Sequence, residues 1–411
     1  MTSIVDTSVK HFGSFMGAAA PALNGTAGTL EALVYACLVT GFDTKTLATL
    51  TVSGGVATAS YSGTHSARTE AVVLIAGVTG ALTALNGEQK IVAKPNAGSV
   101  QFATAAPDGV AAGTITMKIA PLGWLRPFSG PNLGVYKSAD PASSGMFLRM
   151  NDADPVMCRV VGYESMADVS TGVGAWPREN LIPGGGVWGK SAVANTNPIS
   201  WVLVGDSRAF YLHVSTYMGN GVGSYDRYAV GSMRGFGDML AFKPAGDPYA
   251  CALAAYFNAT TPTQWVSYPA INAFDNASGG VWTPRNHTGL GSPFAMAPYP
   301  YTGLPTTVSG TDATMGAFPS RVDGKLRLSR RYLRSLDETQ PEPRCEVPGL
   351  LTIPQSYVVG QINHLEIVPA TGELAGRKLM GLAVGGSYSS DPTLNNNTAG
   401  LALVDITGPW R

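Results

Sequence analysis

Between Leu47 and Ala120 the apolar positions come in short runs of strand length, and each run is closed by residues that turns select. Val52, Val56, Thr58 and Ser60 are followed by Val72 to Ile75, Gln89 to Val92, Val100 to Phe102, and then Ile115, Met117 and Ile119. Ser53-Gly54-Gly55, Asn86-Gly87, Pro95-Asn96 and Pro107-Asp108-Gly109 separate them. Gly, Asn, Asp and Pro mark turns because they tolerate or impose the backbone angles that a reversal needs. The pattern predicts a small Ig-like antiparallel β-sandwich or barrel over 47–120.

Upstream the period changes. Leu30, Leu33, Val34, Cys37 and Leu38 recur at helical spacing, with Thr29 at the N-cap place, Glu31 in the first turn and Gly41 at the end. This predicts an amphipathic helix over 29–41 whose stripe covers the sheet formed after the β-module. Residues 1–28, rich in Ala and Gly, read either as an extended arm lying on a neighbouring subunit or as a flexible terminus.

Downstream of Pro127 the chain reads as a series of short strands. Met146–Met150 and Val156–Val161 alternate around the loop Asn151-Asp152-Ala153-Asp154-Pro155, which predicts a hairpin. Trp201–Val214 predicts two strands broken at Gly205-Asp206, and Tyr249–Phe257 suits either a buried strand or a short helix. Thr260 to Pro319, dense in Pro, Gly, Asn and aromatics, reads as a long loop region packed against another chain. Strands return at Lys325–Leu328, Tyr357–Val359, Leu365–Val368, Leu379–Val384 and Leu401–Ile406. The fold class is therefore mainly β: an arm and helix over 1–46, the module over 47–120, and a β-rich main domain over 121–411. The module is read as inserted into that larger domain; a serial order is the alternative.

The module also resembles one that recurs in virion proteins of tailed bacteriophages. The residues that carry the resemblance are Gly55-Val56-Ala57-Thr58, His65, Val73-Leu74-Ile75-Ala76-Gly77 and Ala84-Leu85-Asn86-Gly87. Similar flanks are Val9-Lys10-His11-Phe12, Gly123-Trp124, Pro127-Phe128-Ser129-Gly130 and Arg159-Val160-Val161-Gly162-Tyr163-Glu164-Ser165-Met166. The likeness is good over the first half and loose afterwards, through Pro348-Gly349-Leu350 and Val404-Asp405-Ile406-Thr407. It implies a structural tail or baseplate component of the virion, made in the host bacterial cytoplasm. Such a protein forms a homo-oligomer and contacts other tail proteins. Two alternatives stay open: a receptor-binding or fibre-like tail protein that recognises a host surface glycan, and a virion-associated hydrolase.

Charge narrows the partners. The 27 basic and 27 acidic side chains cancel, which leaves no global field to attract nucleic acid, so DNA contact is not expected. Only 13% of the 411 residues are charged while 50 are Gly, a balance suited to turn-rich β architecture partly covered by neighbours. No apolar run reaches the ~18–20 residues of a membrane span, and Met1–Asp6 lacks the basic and apolar regions of a secretory signal. Cys37, Cys158, Cys251 and Cys345 are far apart without a C-x-x-C pair, which predicts buried free thiols.

Candidate chemistry is sparse. Gly205-Asp206-Ser207 after an apolar run matches the nucleophile strand of an SGNH-type hydrolase, yet the D-x-x-H and G-x-N-D blocks are missing, so a strand-to-strand turn is the better reading. His11, His65, His213, His287 and His364 have no partner at metal-ligand spacing. Asp337-Glu338 and Glu342 lie near one another, as paired carboxylates of a glycosidase would, but in a Pro-rich surface loop. The basic cluster Arg321, Lys325, Arg327, Arg330, Arg331 and Arg334 reads as an anion-contacting surface or as a hairpin whose cations meet acidic residues of a neighbouring subunit, with Leu326 and Leu328 inward. Trp265, Trp282, Tyr299 and Tyr301 form a candidate aromatic contact surface for glycan stacking. Neither a cofactor nor a metal nor a catalytic residue is assigned.

Overall fold

The computed structural model describes residues 3–216, 231–243, 246–256, 281–286, 289, 294–299, 315–335, 342–355, 358, 361–385 and 399–411. Strands dominate them, as expected for a mainly β chain. Three sheets carry the architecture: a small barrel, a five-stranded sheet and a thirteen-stranded sheet.

The barrel is the predicted module, although it starts earlier, because its first strand is Phe42–Ser53. That strand pairs with Val56–Tyr61, followed around the ring by Ser99–Ala103, Gly87–Asn96, Val72–Ala76 and Thr116–Ile119, which pairs back to the first. Closure leaves the ring without an open edge. The turn Gly54-Gly55 joins the first two strands with φ +57 and +77, the left-handed pair that a two-residue hairpin requires. Ala57, Ala59 and Tyr61 point inward and Val56, Thr58 and Ser60 lie half-buried on the other face. Thus the β-branched residues that signal this strand are its outer side; small alanines fill the narrow interior beside Leu50, Val73, Ile91, Val100, Phe102 and Met117.

The helix runs Thr29–Tyr35 and continues as a π turn through Ala36–Thr40 to Gly41. Leu30, Leu33, Val34, Cys37 and Leu38 are all fully buried, as their spacing predicts. They face the start of the five-stranded sheet: the helix contacts Leu133–Lys137 and the π turn contacts Leu125–Gly130. Leu122, Gly123 and Trp124 donate their amides to the carbonyls of Cys37 and Leu38. Thr29, however, is not the cap. Gly28 occupies that place in the left-handed conformation, and the amides of Leu30 and Glu31 donate to Oδ2 of Asp152 at 2.8 and 3.1 Å.

Asp152 follows the strand Phe147–Asn151, which with Met157–Tyr163 makes the predicted hairpin, Phe147 opposite Tyr163 and Asn151 opposite Arg159. The sheet order is Gly186–Gly189, Met157–Tyr163, Phe147–Asn151, Leu133–Lys137, Leu125–Gly130.

The large sheet begins at Lys10–Gly13, which pairs antiparallel with Ser200–Gly205, Lys10 opposite Gly205. The N-terminal segment is therefore no arm over another subunit: Val9, Phe12, Phe15, Met16 and Leu23 are buried in this chain's own core. Both faces of that short strand are covered, so it carries no alternation that a sequence reading could use. After Ser200–Gly205 the sheet meanders through Ala209–Ser215, Ser232–Asp238, Cys251–Ala254, Val281–Thr283, Phe294–Tyr299, Ser329–Ser335 and Pro343–Thr352, then Ala399–Asp405, Lys378–Gly385 and Ile367–Pro369. Leu240–Ala241 adds to Pro343–Thr352. Tyr249–Phe257 is thus a strand at Cys251–Ala254, and the described residues of the region 260–319, expected to be loop, include two strands.

Since Lys10–Gly13 and Ser200–Gly205 are hydrogen-bonded neighbours, the barrel and the five-stranded sheet both lie, along the chain, between two paired strands of the large sheet. Polar anchors hold the barrel there. Lys90, 2% exposed, donates from Nζ to the carbonyls of Ile406 and Thr407 at 3.1 and 3.0 Å; Lys10 pairs with Glu88 at 3.0 Å and Lys378 with Glu70. Replacing Lys90 with methionine keeps the stem and strands both carbonyls, and is expected to cost about 1–3 kcal/mol. Hydrogen exchange would show it as faster opening of Gly87–Asn96 and Ala399–Asp405, and unchanged exchange there would refute the anchoring role. No described helix is long and apolar enough to cross a membrane.

Candidate functional site

Three polar clusters among the described residues are candidates for a site, and burial separates their roles. The first is the node under the helix. Lys190 Nζ meets Asp152 Oδ1 at 2.5 Å and the Thr26 carbonyl at 2.7 Å, with both side chains of the pair fully buried. Nearby, Tyr136 donates its hydroxyl to Glu31 Oε1 at 2.6 Å, and Arg126, 3.2 Å from the same oxygen, lies over the Tyr35 ring. Burial pushes the Asp152 carboxyl up while Lys190 and the two helix amides oppose it. This node is sealed by the core and fixes the helix to the hairpin.

Gly205-Asp206-Ser207 is the second. It forms the turn between Ser200–Gly205 and Ala209–Ser215, as the sequence reading favours. Asp206 Oδ1 accepts the amides of Arg208 and Ala209, while Oδ2 takes Arg411 Nε at 2.9 Å. Ser207 Oγ donates to Asp140 Oδ2 at 2.8 Å, and the same oxygen takes Arg208 Nε. Arg208 holds the Asp140 carboxyl down at about 2, which makes it too weak a base to activate a hydroxyl near neutral pH. The geometry closes a turn.

The third is an open cleft of about 500 Å³ lined by Glu164, Gly174, Ala175, Arg178, Glu179, Pro284 and Arg285. Glu164 follows the strand Met157–Tyr163, and Arg285 follows Val281–Thr283, so the cleft lies where the five-stranded sheet meets the large one. Its walls are fixed. Arg285 gives Glu164 two parallel hydrogen bonds of 2.7 Å, donates to the Gly289 carbonyl at 3.2 Å and lies 4.9 Å over the Tyr249 ring. Such a fork sets orientation as well as distance. Behind it, Arg344 donates to the Arg285 carbonyl at 2.6 Å and to Thr283 Oγ1 at 3.1 Å, and clamps Asp247 at 2.7 and 3.1 Å. Gly174 has φ +70, and a Cβ there would stand 2.6 Å from Glu164 Cγ, so glycine permits the close approach of this wall to the carboxylate. Glu179 accepts the Gly184 amide at 3.0 Å. Arg178 is exposed, and among the described residues its guanidinium has no ion-pair or hydrogen-bond partner.

The sequence pattern marks no residue of this cleft as a site. Glu164 and Arg285 are separated by 121 positions, and no local spacing signals their meeting.

The candidate residues that the sequence does mark are dispersed in the fold. Of the basic cluster, Arg321 and Lys325 are exposed, Arg327 pairs with Asp323 at 2.8 Å, and Arg330 with Glu346 at 3.0 Å. Both of these acidic partners, Asp323 and Glu346, belong to the same chain. Arg331 is fully buried, which takes it off any surface, and Arg334 is half-buried. Leu326 and Leu328 pack against the smaller core of Leu351, Ile353 and Leu379, as expected. Trp282 is a buried strand residue at 8% exposure, so it presents no stacking face; Tyr299 is opposite Tyr332 in the ladder, while Trp265 and Tyr301 lie outside the described residues. Glu342 is exposed; Asp337, Glu338 and His287 are also outside.

All four cysteines are free and buried. His65 has both ring nitrogens engaged, with the Asp43 carbonyl and the Ala67 amide. His213 and His364, distant in sequence, come together with ring centroids 5.1 Å apart around Ala383: Nε2 of His213 lies 2.7 Å from its carbonyl, and Nδ1 of His364 accepts its amide at 3.2 Å. No group of three metal-binding side chains occurs among the described residues.

No protein-family model matches this sequence, and no curated protein matches it.

Proposed function

We propose that this chain is a structural component of a bacteriophage tail, in the baseplate, the tail tip or an associated ring. In this reading it assembles with copies of itself and contacts neighbouring virion proteins. The observation that carries it is the mounting of the barrel. A closed six-strand ring is inserted, along the chain, between two paired strands of a large sheet, and a buried lysine pins it to the carbonyls of Ile406 and Thr407, just after the strand Ala399–Asp405. A module held at a set angle suits a part whose task is to meet another part in register, and the module is the region that resembles phage virion proteins. The low charge content fits the same purpose, since obligate interfaces are larger and more apolar than ordinary surface.

Sedimentation velocity on the purified chain tests it. A discrete oligomer at micromolar concentration is expected; a species that stays at single-chain mass up to about 100 μM, too weak for a stable assembly, would overturn the proposal.

A further inference from the structure

The cleft between Glu164 and Arg285 is built, polar and partly uncommitted. We infer that it binds a neutral polyhydroxylated ligand, a short saccharide. This goes beyond the assembly proposal and does not depend on it.

Size comes first. A volume of about 500 Å³ lies inside the range of roughly 300–1,000 Å³ typical of small-molecule sites. Next is charge. Two arginines and two glutamates line the cleft, so the wall carries no net charge to select an anion or a cation, and an anionic ligand would meet both carboxylates. What the wall offers is donors and acceptors together. Arg178 presents a guanidinium with no partner among the described residues. Glu179 accepts a single amide hydrogen, and each Glu164 oxygen takes one bond from Arg285, which leaves lone pairs on both carboxylates. A hydroxyl both donates and accepts, so a polyol satisfies the two kinds of group at once. Gly174, Ala175 and Pro284 add the small apolar surface on which the C–H face of a sugar ring rests.

Preorganisation is the third element. Arg285 is held from four sides, by Glu164, the Gly289 carbonyl, the Tyr249 ring and the Arg344 clamp on its own carbonyl. A wall fixed in this way loses little side-chain freedom on binding, which raises the affinity obtainable from a few hydrogen bonds.

Saturation-transfer NMR and calorimetry on the whole chain test the inference with maltotriose, cellotriose and triacetylchitotriose, and with trigalacturonate as the anionic arm. At least one neutral trisaccharide should bind with a dissociation constant at or below about 1 mM, and trigalacturonate should bind at least tenfold more weakly. Arg178→Ala should weaken the neutral ligand at least tenfold, and Glu179→Gln several-fold. Both side chains are exposed and outside the core, and an unchanged melting temperature confirms folding. Failure of all three neutral sugars to bind, preference for the anionic one, or unchanged affinity in Arg178→Ala would each overturn the inference. None of these readings moves with the oligomeric state.

Discussion

Replacing Asp152 with alanine is expected to destabilise the protein by about 3–5 kcal/mol, the range for removing one partner of a buried ion pair. The loss has two sources. Lys190, fully buried, keeps only the Thr26 carbonyl and becomes a charge without a counter-ion. At the same time the amides of Leu30 and Glu31 lose their acceptor, and loss of a cap typically costs about 1 kcal/mol on its own. Thermal melting of the variant should therefore fall well below that of the parent protein. Asp154→Ala, in the same loop, removes an acceptor of the Val156 and Met157 amides that faces solvent more freely, and should cost about 1 kcal/mol or less. Joint replacement by Asp152→Leu and Lys190→Met removes both charges and should recover a large part of the loss, because the core then holds neither an orphan cation nor an orphan anion. A melting temperature for Asp152→Ala within a degree of the parent would show that the pair is dispensable.

The same residue marks the limit of what the chain's pattern discloses. The apolar stripe of the helix is legible because period 3.6 is a local property, and Leu30 to Leu38 fall on the buried face they predict. Its cap is not, since the acceptor comes from a position 122 residues away. Thr29, in the expected cap place, instead donates its hydroxyl to the carbonyls of Asn24 and Thr26. The barrel is legible as strands and turns, while its inward face at Ala57 and Ala59 is hidden by the more conspicuous Val56 and Thr58. Two strands escape notice in the region 260–319 for physical reasons: Val281–Thr283 is too short to alternate, and Phe294–Tyr299 contains Pro298, which argues against a strand interior. The cleft is illegible for the reason the cap is. Glu164 and Arg285 are ordinary surface charges until the two sheets bring them to 2.7 Å.

Acid should destabilise this protein progressively as the pH falls from 6.5 to about 4. His11 and His213 are both held down at about 4, chiefly by burial, with Lys90 adding to the effect at His11 and the Ala383 carbonyl opposing it at His213. Burial, and then His213 beside it, pushes His364 well below the usual histidine range. In the unfolded chain these rings take up protons near pH 6.5, whereas the folded protein refuses them until about pH 4. The unfolded state thus binds more protons throughout that window, and stability present above pH 6.5 is lost as the pH falls through it. A depression of this size corresponds to about 3 kcal/mol for each of the two, with His364 adding to the sum. Asp152 and Asp238, raised mainly by burial, work in the opposite sense and soften the lower end of the window. Melting temperatures taken at intervals from pH 7.5 to 4 should therefore drop most steeply below 6.5. The variant carrying His213→Gln and His364→Asn keeps an N–H toward the Ala383 carbonyl and an acceptor for its amide, but it does not titrate. Its acid limb should be shallower by the share of these two rings, and a limb of unchanged slope would show that the buried pair does not govern acid stability.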